Sequence, residues 1–394
     1  FFSLPNPQEH AHVRRIWARG FTPDALRGYL PILNTRIEQL LGHLGAQSGQ
    51  TVDLSKWMTW FTNEVLNDVA FGDDLDIMRN KDSRAHIKML EDALPYGAVL
   101  GHLPWMVPFF KAIPATSKIV QDQIKLCYTR MEKRLKEGSP HGVQDMIHHV
   151  TGDGSPNSTL GITQLVADAP LIMGAGSDTS SFTLCTLFYF LLCNPVVYSR
   201  LQAELDHSNL SYNDTLGLAH LEYLNATINE ALRIIPPVPS GSPRSPLIGS
   251  GGIMLGPHFL PEGTIACIHT YTLHRDPRNF FLPDEFIPER WLSEEKQLAL
   301  EPDVFKNRDL VVHNTNAFIP FSYGPADCIG KRFAWNELRA VTVAILQRFT
   351  LEFDLGYDKA SWERDICDYV ITKRPPLYVV LMPRLASNRS RSSN

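Results

Sequence analysis

Cysteine is sparse in this chain. There are six thiols in 394 residues (Cys127, Cys185, Cys193, Cys267, Cys328 and Cys367), and none stands in a C-x-x-C spacing. That excludes the common zinc frameworks, argues against a disulfide scaffold and points to a reducing compartment on the cytosolic side. No run of 18 apolar residues free of charge occurs, so no membrane-spanning helix is expected within these residues. The chain begins Phe-Phe-Ser-Leu-Pro, without methionine, signal peptide or charged targeting segment. Net charge is small, −5, and gives no signal for nucleic acid. G-x-S-x-G, H-E-x-x-H and G-x-x-x-x-G-K-[ST] are missing, and no Gly-rich run has the strand–turn–helix context of a dinucleotide site. Internal repeats are absent too. What is there is a globular composition, 44% hydrophobic and 20% charged. The length allows one large core or two ordinary domains.

Most of the first 230 residues alternate amphipathic runs with Pro/Gly breaks. Apolar positions at three- and four-residue steps predict helices over 11–18, 31–44, 54–71 and 117–136. Residues 100–114 are apolar but broken by proline; they read either as an irregular loop packed on the core or as a membrane-dipping or substrate-access loop. A polar turn over 152–158 precedes a long helix predicted over 163–193, with further helices over 196–206 and 224–234. After Pro236-Pro237-Val238-Pro239 the texture changes, and short strands are predicted at 252–255, 264–271, 351–354 and 377–381. The Ser/Arg/Asn-rich tail, 387–394, is expected to be disordered.

One cysteine stands out by its setting. Cys328 lies in Phe321-Ser322-Tyr323-Gly324-Pro325-Ala326-Asp327-Cys328-Ile329-Gly330, a Gly/Pro-rich turn that opens into a helix beginning Lys331-Arg332-Phe333. A thiol at a helix N-terminus faces unsatisfied N–H groups and the positive end of the helix dipole, which favours the metal-binding thiolate. Gly324 and Gly330 let the backbone turn and approach a flat cofactor, and Phe321 lies where an aromatic face covers the sulfur. The alternative is a buried free cysteine after a Gly-Pro turn.

The pattern F-x-x-G-x-x-x-C-x-G resembles the haem-binding loop of the cytochrome P-450 family. Three further segments fit it in order. Ala175, Gly176, Asp178 and Thr179 resemble the family's A-G-x-D-T oxygen-activation motif: Gly176 would leave room for dioxygen, and Thr179 with Asp178 would deliver protons. Glycines and hydroxyl residues inside an apolar helix read as a local opening of its hydrogen-bond ladder or, taken in isolation, as a place of close helix packing. Glu230 and Arg233, at i and i+3, with Arg290 of Pro288-Glu289-Arg290-Trp291, resemble the buried Glu–Arg–Arg cluster that locks the cysteine loop. As a bare pattern, Glu230 and Arg233 also read as an exposed ion pair. His274-Arg275-Asp276-Pro277 fits the run before that segment and is assigned a structural role. His10 and Arg14, at i and i+4, resemble a propionate-binding helix, or else a solvated basic face with Arg15 and Arg19. Arg244 resembles another propionate ligand. One departure is plain: Ala326 stands where many members carry a propionate-binding arginine.

The resemblance implies a mainly α fold with a small β region, the cytochrome P-450 fold. It implies one domain over 1–386, with a helix-rich core at 1–235 and 328–350 and a β-containing part at 236–327 and 351–386. It implies a b-type haem whose iron is ligated by Cys328, and insertion of one oxygen atom of O2 into a small apolar organic substrate. Electrons would come from an NADPH-dependent flavoprotein reductase, which Lys331 and Arg332 would attract. The texture resembles fungal microsomal members of secondary metabolism, on the cytosolic face of the endoplasmic reticulum membrane. On that reading the anchor, the first strands and the loop roofing the site precede residue 1. A ligand-binding haem protein, or a non-catalytic fragment that binds haem poorly, are the alternatives.

Overall fold

The computed structural model describes residues 4, 6–72, 75–80, 84–112, 114–138, 144–152 and 160–384. The helices of the first half are α1 (Pro7–Trp17), α2 (Pro23–Ala46), α3 (Leu54–Phe71), α4 (Ala85–His102), α5 (Val107–Ala112), α6 (Pro114–Glu137), α7 (Met146–Thr151) and α8 (Ile162–Cys193), with strand β1 (Thr51–Asp53) before α3. Beyond them come α9 (Pro195–Ser208), α10 (Thr215–Leu218), α11 (Glu222–Ile234), strands β2 (Ile253–Leu255) and β3 (His258–Leu260), and α12 (Thr270–His274). The chain closes with α13 (Glu294–Leu300), α14 (Pro302–Phe305), α15 (Lys331–Arg348), β4 (Phe349–Phe353), α16 (Ala360–Arg364), β5 (Cys367–Tyr369), β6 (Ile371–Lys373) and β7 (Tyr378–Pro383).

The core is laid along α8. It runs for 32 residues, and α3, almost entirely buried, lies against it. Helices α6, α9, α11 and α15 also pack on α8. One hydrophobic cluster extends from Val13 through Phe188 to Leu381. The main sheet places β7 between β1 and β4, both antiparallel. Its register sets Val52 opposite Val379 and Leu351 opposite Leu381, four buried side chains. Hairpins β2–β3 and β5–β6 stand apart from that sheet.

Several boundaries differ from expectation for local reasons. α2 starts eight residues before the predicted 31, because the Thr22 side chain caps it by accepting from Ala25 N at 3.3 Å and Pro23 occupies its first turn. Pro31 then sits inside the helix. Asn6 and Pro7 start α1 the same way. Residues 100–112 are not irregular: α4, a short 3-10 turn over Pro104–Met106 and α5 carry them, with proline setting the breaks. There Trp105 and Phe109 meet edge to face and are both 65% exposed. The strand expected at 264–271 is not formed. Only an isolated bridge joins Arg244 to Ala266, and α12 begins at Thr270. A strand with no continuous partner does not persist. No single described helix is long and apolar enough to cross a membrane. The polar turn expected at 152–158 lies outside the described residues beyond Gly152, and so does the tail 387–394.

Candidate functional site

The loop before α15 is built on a few backbone bonds. Cys328 N donates to Phe321 O at 2.9 Å and Asp327 N to Gly324 O at 3.0 Å. Gly324 has φ +82°, which only glycine adopts freely, and Ser322 stands at +62° beside it. Gly330 caps α15, and a Cβ there would lie 3.6 Å from the Phe21 ring and 3.9 Å from Cys328 Sγ. Cys328 presents its thiol at the surface of the described residues. The ring of Phe321 is half-buried, with the Lys331 ammonium 5.6 Å from its centre.

The helix begins at Lys331 as expected, with Cys328 two residues before its cap Gly330, but one expectation about the thiol needs correction. Its pKa is raised, not lowered: packing on its inner side dominates and the Asp327 carboxylate adds to it, while the Gly330 N–H and the cations Arg14 and Lys331 act the other way. The helix end alone does not make a thiolate here; coordination to a metal deprotonates a thiol outright.

The three anticipated rim residues are linked electrostatically: His10 is held below its ordinary pKa by burial, then by the charges of Arg14 and Arg244. Arg14 is also tied to the cysteine loop, donating to Asp327 O at 2.7 Å and to Asp327 Oδ1 at 2.6 Å. Two of its five donors are thereby engaged. Arg244 is exposed, with its backbone in the bridge to Ala266.

The Glu230 cluster is buried and not a surface pair. Glu230 Oε1 accepts from Arg233 Nη2 (2.8 Å), Arg290 Nε (3.0 Å) and Ile287 N (2.9 Å), and Oε2 accepts from Arg233 Nε and Trp291 Nε1 (both 2.9 Å). Burial alone would raise this carboxyl, but Arg290 and Arg233 hold it below the usual range. The remaining guanidinium donors go to carbonyls of His274, Phe281, Leu282, Pro283 and Glu285. His274 carries the lock to the cysteine loop. Its Nδ1 faces Arg233 O at 3.2 Å and its Nε2 accepts from Ile319 N at 2.9 Å, which puts the ring proton on Nδ1. Burial pushes it down to about 4.

On α8, the segment expected to open does not. The helix is continuous, and its hydroxyls bond backwards instead: Ser177 Oγ to Met173 O and Thr179 Oγ1 to Ala175 O, both 2.6 Å. Ala175, Gly176, Asp178 and Thr179 remain partly open while Ser177 and Ser180 are buried. Burial pushes the Asp178 carboxyl up to about 6, moderated by Arg374 and reinforced by Glu91. Gly176 is backed by Leu66 of α3, whose Cδ2 would lie 2.6 Å from an added Cβ.

Among the described residues no hydrogen bond joins Asp178 or Thr179 to the cysteine loop. The link runs through the helices: α15 packs on α8, and Ser180 of α8 and Glu337 of α15 are both buried. Glu337 was not anticipated. Its signal was a charged residue inside the apolar stripe Phe333, Val341, Ala344 of α15. Asp327 and Trp291 were likewise visible only as motif neighbours.

Comparison with known proteins bears on this arrangement. The family described as Cytochrome P-450 matches residues 2–382. Cytochrome P-450 67 of Uromyces fabae is 32% identical over 97% of this chain and 70% of its own length. Cytochrome P-450 monooxygenase nodW of Hypoxylon pulicicidum is 33% identical over 87% and 60%, and the trichothecene C-15 hydroxylase of Fusarium sporotrichioides is 30% identical over 96% and 75%. The chain thus spans 60% to 75% of the length of these relatives. The haem domain of cytochrome P-450DA has the same fold, with a TM-score of 0.75 over 94% of this chain and 77% of that one at 22% identity. With its cysteine loop, its buried Glu–Arg–Arg lock and its α8 motif all inside the matched residues 2–382, the chain belongs to the cytochrome P-450 family.

Proposed function

We propose that this protein, as one domain over 1–386, binds a b-type haem through Cys328. We propose further that it inserts one oxygen atom of dioxygen into an apolar organic substrate, with electrons from an NADPH-dependent flavoprotein reductase. Its place would be the cytosolic face of the endoplasmic reticulum. The observation that carries the reading is the company of Cys328: Arg14 clamps its loop, and the charges of Arg14 and Arg244 both act on His10. This donor set fits the group. A thiolate is an established haem-iron ligand, and three cationic or N–H donors suit two propionates. At Gly330 a Cβ would stand 3.6 Å from the Phe21 ring and 3.9 Å from the thiol, so glycine keeps the space beside the sulfur clear.

Cys328 would hold the iron, His10, Arg244 and the free donors of Arg14 the propionates, and Phe321 the sulfur's flank. When bound, the haem supplies dioxygen activation, favoured by the electron-rich thiolate. The chain's own groups supply position and protons. Burial pushes the Asp178 carboxyl up to about 6, close enough to neutral pH for it to take up and release a proton readily. Thr179 Oγ1, fixed on Ala175 O, keeps its lone pairs available to accept one. Gly176 lets Leu66 of α3 pack close against α8, and that packing keeps water from the far side.

The test is the carbon-monoxide difference spectrum of the reduced protein beside Cys328→Ser. The wild type is expected to give the haem-thiolate band and the variant to lose it. A band that survives the substitution removes Cys328 from the ligand role.

A further inference from the structure

The cysteine loop, 321–330, has one charged residue, Asp327, and it stands directly beside the thiol. An anion next to a thiolate is unfavourable, because like charges at close range disfavour each other's ionised form. The fold answers it with a cation from the other end of the chain. Arg14 Nη1 donates to the Asp327 carbonyl at 2.7 Å, and Nη2 donates to the Asp327 carboxylate at 2.6 Å. The first bond uses backbone and would brace the loop with any residue at this position. The second is what the side chain adds: a charge-assisted bond whose carboxylate offsets the guanidinium charge. The two side chains are 21% and 44% exposed, so water weakens the pair without abolishing it.

We propose that Asp327 is a positioning residue that sets the charge around the thiolate: its carboxylate holds Arg14 and offsets it, which favours the oxidised state of the bound haem. The proposal rests on the function inferred above, with Cys328 as the ligand. One-electron reduction adds a negative charge to the site; a nearby cation favours that step and a nearby anion opposes it. With Asp327 in place the clamp is neutral, and without its carboxylate the clamp carries the full guanidinium charge. The backbone bond remains in either case, so charge and geometry can be separated. Asn keeps an oxygen that accepts from Nη2 but loses the charge, and Ala loses both. Glu keeps the charge with one more methylene of reach.

The experiment is a spectroelectrochemical titration of the haem-loaded wild type beside Asp327→Asn, Asp327→Ala and Asp327→Glu, at low and high salt. The reduced carbon-monoxide spectrum of each protein serves as the control. Asp327→Asn and Asp327→Ala are each expected to shift the ferric–ferrous equilibrium toward the ferrous form about twofold to fivefold, the range of a partly exposed charge; tenfold would be about 59 mV for one electron. Asp327→Glu should match the wild type. The gap should shrink at ~1 M salt, where the screening length falls to about 3 Å. All four proteins should keep the haem-thiolate band. An equilibrium unmoved in Asp327→Asn, a Glu variant displaced as far as Asn, a gap indifferent to salt, or loss of the band in Asp327→Asn overturns the proposal. A wild type without the haem-thiolate band removes the function inferred above and this proposal with it, whereas a wild type with the band and an equilibrium that Asp327→Asn leaves unmoved removes this proposal alone.

Discussion

Replacing Glu230 by glutamine removes one charge and almost no volume, which makes it a clean probe of the lock behind the cysteine loop. Two guanidiniums, Arg233 and Arg290, lose the only carboxylate bonded to them, and all three side chains are at most 2% exposed. Removing one partner from a buried ion pair costs about 3–5 kcal/mol. The glutamine NH2 also confronts donors where Oε2 accepted from Arg233 Nε and Trp291 Nε1, and an orphaned buried donor costs roughly 1–3 kcal/mol. The expected loss is therefore on the order of 5 kcal/mol, a large part of the ~5–15 kcal/mol that holds a domain together. Neighbouring carbonyls keep the guanidiniums in place, so the variant should fold in mild conditions and unfold early. Denaturant titration followed by tryptophan fluorescence measures this. The pH dependence has a definite sign. Glu230 is held below its ordinary pKa, so its contribution is present above 4.5 and is lost as pH falls through the native value. The gap between wild type and variant should narrow in acid. A gap under ~1 kcal/mol at pH 7, or one indifferent to pH, refutes the reasoning.

His274 gives a second acid-sensitive step of separate origin. The unfolded chain takes up its proton near 6.5 and the native one near 4, so stability is present above 6.5 and lost as pH falls between the two; the full depression corresponds to ~3 kcal/mol. Melting from pH 7.5 to 4.5 should show that slope in the wild type and lose it in His274→Gln. At Gly176, alanine drives a Cβ to 2.6 Å from Leu66 Cδ2. Overpacking at about 1–3 kcal/mol outweighs the ~1 kcal/mol that alanine adds in helix propensity. Adding Leu66→Ala should remove the clash, so a double-mutant cycle on thermal midpoints is expected to show strong positive coupling.

Helices with caps and unbroken apolar periodicity were readable: α3 ends where expected, and α8 starts within a residue of its predicted position. Errors arose where a tertiary partner decided. The run 264–271 has strand composition but finds only Arg244 to pair with, through Ala266. The Gly-Ser segment of α8 looked like a break because propensity counts its cost, whereas α3 packs on the glycine and each hydroxyl finds a carbonyl one turn back. The site residues were legible by motif, but their electrostatics were not. The thiol of Cys328 and the carboxyls of Asp178 and Glu337 are shifted by burial, a property of the fold that spacing does not encode.

The bond between Arg14 and Asp327 has a consequence for how the molecule comes together. It joins residues 313 positions apart, so the chain's two ends must meet before the cysteine loop is held. β1 and β7 repeat the demand, pairing Val52 with Val379. Closing so long a loop is entropically costly and delays the contacts that reward it. During synthesis α1 leaves the ribosome long before its partner Asp327 is made, and the edge of β1 stays unpaired until β7 follows. The Cys328 loop is thus braced late, by a helix made long before it.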